Sequence, residues 1–126
     1  MNNTLRVIIC LPALLFVVMG LAWLVKPASM AASLGMPLLD GLGRSTQIGD
    51  LGAFFFAGGT MVFMGVITHE RAWLQAPALL LGATAIFRTL AWLIHDATLA
   101  IPQIAVEVVI CLLLLYAVRR MSATTS

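Results

Sequence analysis

Four long apolar runs, separated by short stretches that hold most of the charged residues, form the main pattern along the chain. The first, residues 7–25, has 19 uncharged residues, close to the roughly 20 that a transmembrane helix needs. A signal peptide has a shorter apolar region, of about 7–15 residues, so we expect this helix to be retained. None of the runs alternates as membrane β-strands do. The pattern predicts an all-α, integral membrane four-helix bundle, a single domain with spans at about 5–25, 48–68, 72–94 and 101–118.

The orientation follows from the short connections and the basic residues. The second, third and fourth runs are joined by so few residues that their helices must be antiparallel neighbours. Lys and Arg are enriched on the cytoplasmic side of membrane proteins. With both termini inside, that side holds four basic residues against two outside (Arg6, Arg71, Arg119 and Arg120 against Lys26 and Arg44). The asymmetry predicts an N-in, C-in orientation.

The stretch between the first two runs, residues 26–47, is longer and less polar than a typical loop. Pro27 stands where a helix would start and Gly35 where it would end. Met30, Ala31 and Leu34 would share one face of that short helix. We expect it to lie in the membrane interface of the outer loop. It serves either as a lid over the outer end of the bundle or as a simple connector.

Small residues recur along the second run at helical spacing. Gly49, Ala53, Ala57 and Gly65 follow one another at multiples of four residues. Small residues let membrane helices approach closely. The pattern predicts close packing inside the bundle, and the alternative is a homodimer seam or a docking face for a larger membrane complex.

Composition narrows the class of protein. Of 126 residues, 62% are hydrophobic and 10% are charged, against about 45–50% and about 25% in soluble domains. The net charge of +2 comes from scattered residues, so nothing points to nucleic acid. Cys10 and Cys111 lie in apolar runs without metal-ligand spacing, and we expect buried free thiols. We find no catalytic motif and expect neither metal nor cofactor.

Two charges fall well inside predicted spans, where a charge is costly. Arg88 lies seven residues before His95, and Glu107 lies six residues after Ile101. Both are therefore about 9–10 Å from the same end of the bundle. Because their helices are antiparallel neighbours, we expect Arg88 and Glu107 to form a buried ion pair.

Further polar side chains fall in the same outer half of the bundle. Beside Arg88 and Glu107, the candidate ligand-binding residues are Asp50, Thr84, Trp92, His95 and Gln103. Small-molecule sites combine apolar walls with a few convergent polar groups. The cluster is thus a pocket for a ligand with an apolar body and a polar end, a purely structural ion-pair lock, or a proton relay. Trp92 would line the apolar part unless it belongs to the interfacial aromatic belt.

Five features taken together resemble a known family: the segment 27–35, the pair Gly58-Gly59, Arg88, Asp96 and Glu107. The family is a group of small bacterial four-helix inner-membrane proteins carried as a domain of unknown function, distantly similar to DoxX-like proteins. The resemblance implies a multi-pass protein of the bacterial inner (cytoplasmic) membrane and the polar positions named above, but no activity.

Three functions stay open on this basis. The leading one is a non-catalytic protein that binds a small amphipathic ligand or lipid at the outer-leaflet polar cluster. The second is an accessory subunit of a larger membrane complex. The third is a membrane enzyme acting on a hydrophobic substrate, with Asp50, His95 and Glu107 as acid and base groups.

Overall fold

The structure, a computed structural model, describes residues 1–125 and is all-helical over that range. Six α-helices and one π-helical segment follow in the order α1 (Asn3–Val25), α2 (Pro27–Ser33), α3 (Gly41–Thr46), the π segment (Gln47–Gly52), α4 (Ala53–Thr68), α5 (Ala72–His95) and α6 (Ile101–Thr125). Four stretches are long and apolar enough to cross a membrane: Asn3–Val25, Gly41–Thr68, Ala72–His95 and Ile101–Met121. The predicted all-α membrane bundle with four spanning helices is confirmed at this level.

Local sequence explains where α1 and α2 begin and end. Asn2 caps α1, since its side-chain oxygen accepts a hydrogen bond of 2.8 Å from the Leu5 amide. Pro27 is the first residue of α2, where its missing N–H costs nothing. Gly35 follows α2 with φ +78°, a left-handed conformation that glycine adopts readily.

The second span begins at Gly41, earlier than the start predicted near Ile48. α3, the π segment and α4 run on as one stretch of 28 residues, so Ser45 and Thr46, which precede the predicted start, lie within the helix. The extended helix is also bonded to the preceding loop. The buried Gln47 side chain accepts a hydrogen bond from the Leu39 amide at 2.8 Å and donates one to the Pro37 carbonyl at 3.1 Å. These bonds satisfy loop backbone groups at the side of the helix.

Short turns join α4 to α5 and α5 to α6. Each turn begins with a non-glycine residue in the left-handed region, His69 at φ 59° and Asp96 at φ 55°. The His69 amide closes α4 by donating to the Gly65 carbonyl four residues earlier, and the Ala97 amide closes α5 by donating to the Ala91 carbonyl six residues earlier. The chain therefore reverses within a few residues and consecutive helices lie antiparallel.

Glycines set how closely α1 and the second span approach. A Cβ added at Gly20 would stand 2.7 Å from the Phe56 backbone nitrogen, and one at Gly59 would overlap the Ala13 carbonyl oxygen. α4 thus approaches α1 through Gly59, which is outside the predicted stripe. Of that stripe, Gly65 is buried against Leu74 of α5, whereas Ala53 is exposed. Gly49 lies outside this contact, with nothing within 4 Å of an added Cβ.

The bundle divides into two halves with different packing. We call the half that holds both chain termini the terminal half, and the half that holds α2 the α2 half. In the terminal half one core cluster joins α1, α4, α5 and α6, and includes the fully buried Ile9, Leu74 and Leu114. In the α2 half a smaller cluster seats α2 on α1, with Met30 and Ala31 packed against a fully buried Trp23.

Candidate ligand-binding cavity

The α2 half encloses a cavity of about 440 Å³ between the four spanning helices. This volume lies in the lower part of the range of about 300–1,000 Å³ that is typical of small-molecule sites. Ten apolar residues and four polar residues line it: Leu15, Phe16, Met19, Leu34, Leu51, Phe54, Phe55, Leu81, Pro102 and Val106, with Thr84, Arg88, Gln103 and Glu107. The polar residues come from α5 and α6 alone, so the cavity has one polar side and three apolar sides.

The predicted Arg88–Glu107 ion pair is present and lies on the polar side of the cavity. Arg88 Nε donates to Glu107 Oε2 at 3.0 Å. The Glu107 side chain is 12% exposed and that of Arg88 36%, so the carboxylate is the more deeply buried partner. An ionised carboxylate in such surroundings requires a charged partner, which Arg88 supplies.

The second carboxylate oxygen of Glu107 takes no part in the ion pair. Glu107 Oε1 is buried and has no hydrogen-bond partner among the described residues. A buried acceptor without a donor raises the free energy of the folded state by about 1–3 kcal/mol. The pair is therefore not a fully satisfied lock, because half of the carboxylate lacks a donor.

Thr84 and Gln103 complete the polar side. The Thr84 hydroxyl donates to the Leu80 carbonyl at 2.7 Å, one turn earlier in α5. That leaves its oxygen lone pairs as acceptors at the cavity wall. Gln103 lies exposed in the first turn of α6 and carries both a donor and an acceptor group. Four of the seven candidate residues thus come together.

The other three candidate residues lie outside the cavity lining. Asp50 is exposed on the π segment, and Trp92 and His95 are exposed near the end of α5. Asp50 directly precedes Leu51, which lines the cavity, so Asp50 differs from the lining residues in its direction around the helix axis. Trp92 and His95 lie one and two turns beyond Arg88, nearer the end of α5, and so differ from it in depth. Trp23 is also away from the cavity, buried under α2.

Sequence reasoning missed most of the apolar wall. Phe54 and Phe55 turn inward, and Phe55 meets Phe16 edge to face with ring centroids 5.2 Å apart. Phe56, the third ring of the run, is 44% exposed on the outside of the bundle. Three consecutive residues of a helix point in different directions, so the three rings cannot all face inward. Because α4 is apolar on every side, its sequence does not identify which rings face the cavity.

The exposure of two lining residues indicates where the cavity opens. In the α2 half Leu15 of α1 is 57% exposed and Val106 of α6 is 55% exposed, although both line the cavity. The core that α1 and α6 share lies in the terminal half. We therefore place the opening at the side of the bundle, between α1 and α6.

The described residues contain no group of side chains that could bind a metal ion. No three His, Cys, Asp or Glu side chains among those residues are grouped so that they could hold a metal ion. Cys10 and Cys111 are both free thiols.

Comparisons with known proteins give no family, relative or fold neighbour. No protein-family model, no curated protein and no solved structure matches this chain. The cavity and its polar side are therefore the observations from which a function is argued.

Proposed function

We propose that the protein binds a small amphipathic ligand or lipid in the cavity of the α2 half and does not catalyse a reaction. The observation that carries this proposal is the cavity itself, with apolar walls on three sides and an ion pair on the fourth. A ligand with an apolar body and a polar end matches both parts. Such combinations of apolar wall and few polar groups are typical of ligand pockets in helical bundles.

The sideways opening supports the bilayer as the source of the ligand. A membrane-dissolved molecule reaches the cavity between α1 and α6 without crossing the polar loops. The exposed Leu15 and Val106 give the opening apolar edges. A water-soluble ligand would gain nothing from such edges.

The proposal includes a place in the membrane. Arg6, Arg71, Arg119 and Arg120 belong to the terminal half, which supports an N-in, C-in orientation with the cavity in the outer leaflet. α2 would then lie in the outer interface. The resemblance to small bacterial four-helix proteins supports the bacterial inner membrane as the location.

An enzyme is the weaker alternative. Acid and base chemistry on a bound substrate would need its proton-transfer groups within hydrogen-bond reach of one another or of the substrate. Asp50 and His95 do not line the cavity, so Glu107 would have to act without them. The other alternative, an accessory subunit, predicts a partner chain and is separated by the experiment below.

Two threonines of α5 provide a matched test. Each hydroxyl donates to a backbone carbonyl four residues earlier, Thr84 to Leu80 and Thr89 to Ala85. Thr84 lines the cavity, whereas Thr89 lines a groove on the outer side of α5 and α6. Thr84→Phe therefore fills the cavity, and Thr89→Phe adds the same ring outside it.

Native mass spectrometry of protein released from native-membrane nanodiscs reads the result. We expect a bound small molecule on the unmutated protein and on Thr89→Phe, and its loss from Thr84→Phe. A partner chain retained in all three samples, with no small molecule, favours the accessory subunit and contradicts ligand binding. Retention of the small molecule on Thr84→Phe would show that it is not bound in the cavity.

A further inference from the structure

We infer that the ligand is an uncharged amphiphile with a hydroxyl-bearing head and a single hydrocarbon chain. The inference rests on the proposed function and adds the chemical class of the ligand. It is argued from the charge, the hydrogen-bonding groups and the volume of the cavity.

The charge of the cavity lining is balanced. Among its described residues Arg88 and Glu107 are the charged ones, and they are paired with each other at 3.0 Å. An anionic head bound to Arg88 would lie beside the negative charge of Glu107. A cationic head bound to Glu107 would lie beside the positive charge of Arg88. Like charges brought together in a low-dielectric site repel strongly. A neutral head avoids both costs.

The unused hydrogen-bonding groups match hydroxyl chemistry. A guanidinium has five N–H donors, and one of those of Arg88 is given to Glu107. Gln103 adds donors and an acceptor, and Thr84 adds an acceptor. A head with hydroxyl groups can accept from Arg88 and donate to Thr84 or Gln103. A pure hydrocarbon would leave these groups without partners, at a cost in affinity.

The volume indicates one chain. At about 440 Å³ the cavity lies in the lower part of the range for ligand sites, and Leu15 and Val106 are exposed at its edge between α1 and α6. One hydrocarbon chain would lie along Phe16, Leu81 and Phe55 and leave through that opening. A second chain would have to displace side chains of the wall.

Three probes with the same saturated chain test the head: a monoacylglycerol, an alkyl sulfonate and an alkyltrimethylammonium. Dissociation constants are measured on the delipidated full chain in amphipol. We expect the monoacylglycerol to bind tighter than either charged probe by about tenfold or more, since burying an ill-matched charge costs more than leaving a neutral polar group unmatched.

A single substitution should reverse the ranking. Glu107→Gln leaves Arg88 as an unbalanced positive charge, so the sulfonate becomes the tightest of the three probes. Asp50→Asn makes the same acid-to-amide change at an exposed position of the α2 half outside the cavity and serves as the control. It should keep the ranking of the unmutated protein.

The outcomes separate the two proposals. If no probe binds the unmutated protein, ligand binding in this cavity fails. If all bind but a charged probe binds best, ligand binding stands and the neutral class is overturned. The ranking in the unmutated protein decides this without any variant, so a Glu107→Gln protein that does not fold leaves the test intact. A folded Glu107→Gln protein that keeps the monoacylglycerol preference also overturns the inference.

Discussion

In the terminal half the side chains of all four spanning helices fill the space between them, whereas in the α2 half the same helices leave a cavity. The terminal half buries Ile9, Leu74 and Leu114 almost completely. The α2 half leaves Leu15 and Val106 more than half exposed at a sideways gap. In a bilayer, helix association depends on packing and interhelical polar contacts, not on escape from water. The difference indicates that packing stabilises the terminal half more than the α2 half, and it leaves the cavity free for the ligand that we propose.

The largest expected effect tests whether side chains are packed more tightly in the terminal half than in the α2 half. Leu114→Ala removes a side chain that is 1% exposed and should lower the free energy of unfolding by about 2–5 kcal/mol. Leu15→Ala, the same change at a position that is 57% exposed, should alter it by no more than about 0.5 kcal/mol. Unfolding in a denaturing detergent titration measures both. Similar losses would show that the halves do not differ in stability.

The ion pair is the second test, because it is the polar contact that ties α5 to α6 in the α2 half. Arg88→Leu and Glu107→Leu should each lower the free energy of unfolding by about 3 kcal/mol, the low end for a buried pair, since Arg88 keeps 36% exposure. The double variant should recover much of that loss, because no charge is left unpaired. Additive losses in the same titration would contradict a direct interaction.

A third test uses two glycines of the second span. Gly59→Ala pushes a methyl group against the Ala13 carbonyl and Val17 and should lower the free energy of unfolding by about 1–3 kcal/mol. Gly49→Ala meets nothing within 4 Å and should stabilise the helix by up to about 1 kcal/mol. Thermal melts of the two variants compare them directly. Destabilisation by Gly49→Ala would place an unrecognised contact at that position.

The smallest expected effect concerns the loop between α2 and α3. Gln47→Leu removes the hydrogen bonds to Leu39 and Pro37, and should cost about 1 kcal/mol and speed amide exchange of residues 36–40. Gln75→Leu, at an exposed position of α5 in the terminal half, is the control and should leave that exchange unchanged. Hydrogen exchange with mass spectrometry reads both. Unchanged exchange in Gln47→Leu would show that other contacts hold the loop.

Sequence predicts the spans and the ion pair for the same physical reason. A helix can cross a membrane because its backbone groups are hydrogen-bonded within the helix. Charged side chains are costly in the hydrocarbon core, so they lie mainly at the ends of the apolar runs. The two internal charges, Arg88 and Glu107, then had to meet because their depths coincide on antiparallel helices. Depth follows from counting residues at 1.5 Å each, and such counting needs no knowledge of packing.

Rotation about the helix axis is what the sequence leaves undetermined. Asp50 has a suitable depth but does not line the cavity, and Phe54 and Phe55 face into it without any distinguishing pattern. In a soluble helix the polar face would fix the rotation, but these helices are apolar all round. The bonds of Gln47 were missed for a related reason, because they join it to a loop eight or more residues away.

The π segment gives the second span a tolerance to changes in length. A π turn holds more residues per turn than an α turn, so Gln47–Gly52 accommodates chain that a regular α-helix would not. Deletion of one residue there would return the segment to α geometry and leave the faces of α3 and α4 nearly in their present relation. Deletion of one residue within α4 meets no such wide turn and would rotate everything before it by about 100° relative to the rest of the helix. Gln47 would then lose the loop that it holds, so a one-residue deletion should disturb the loop between α2 and α3 more in Ala53–Thr68 than in Gln47–Gly52.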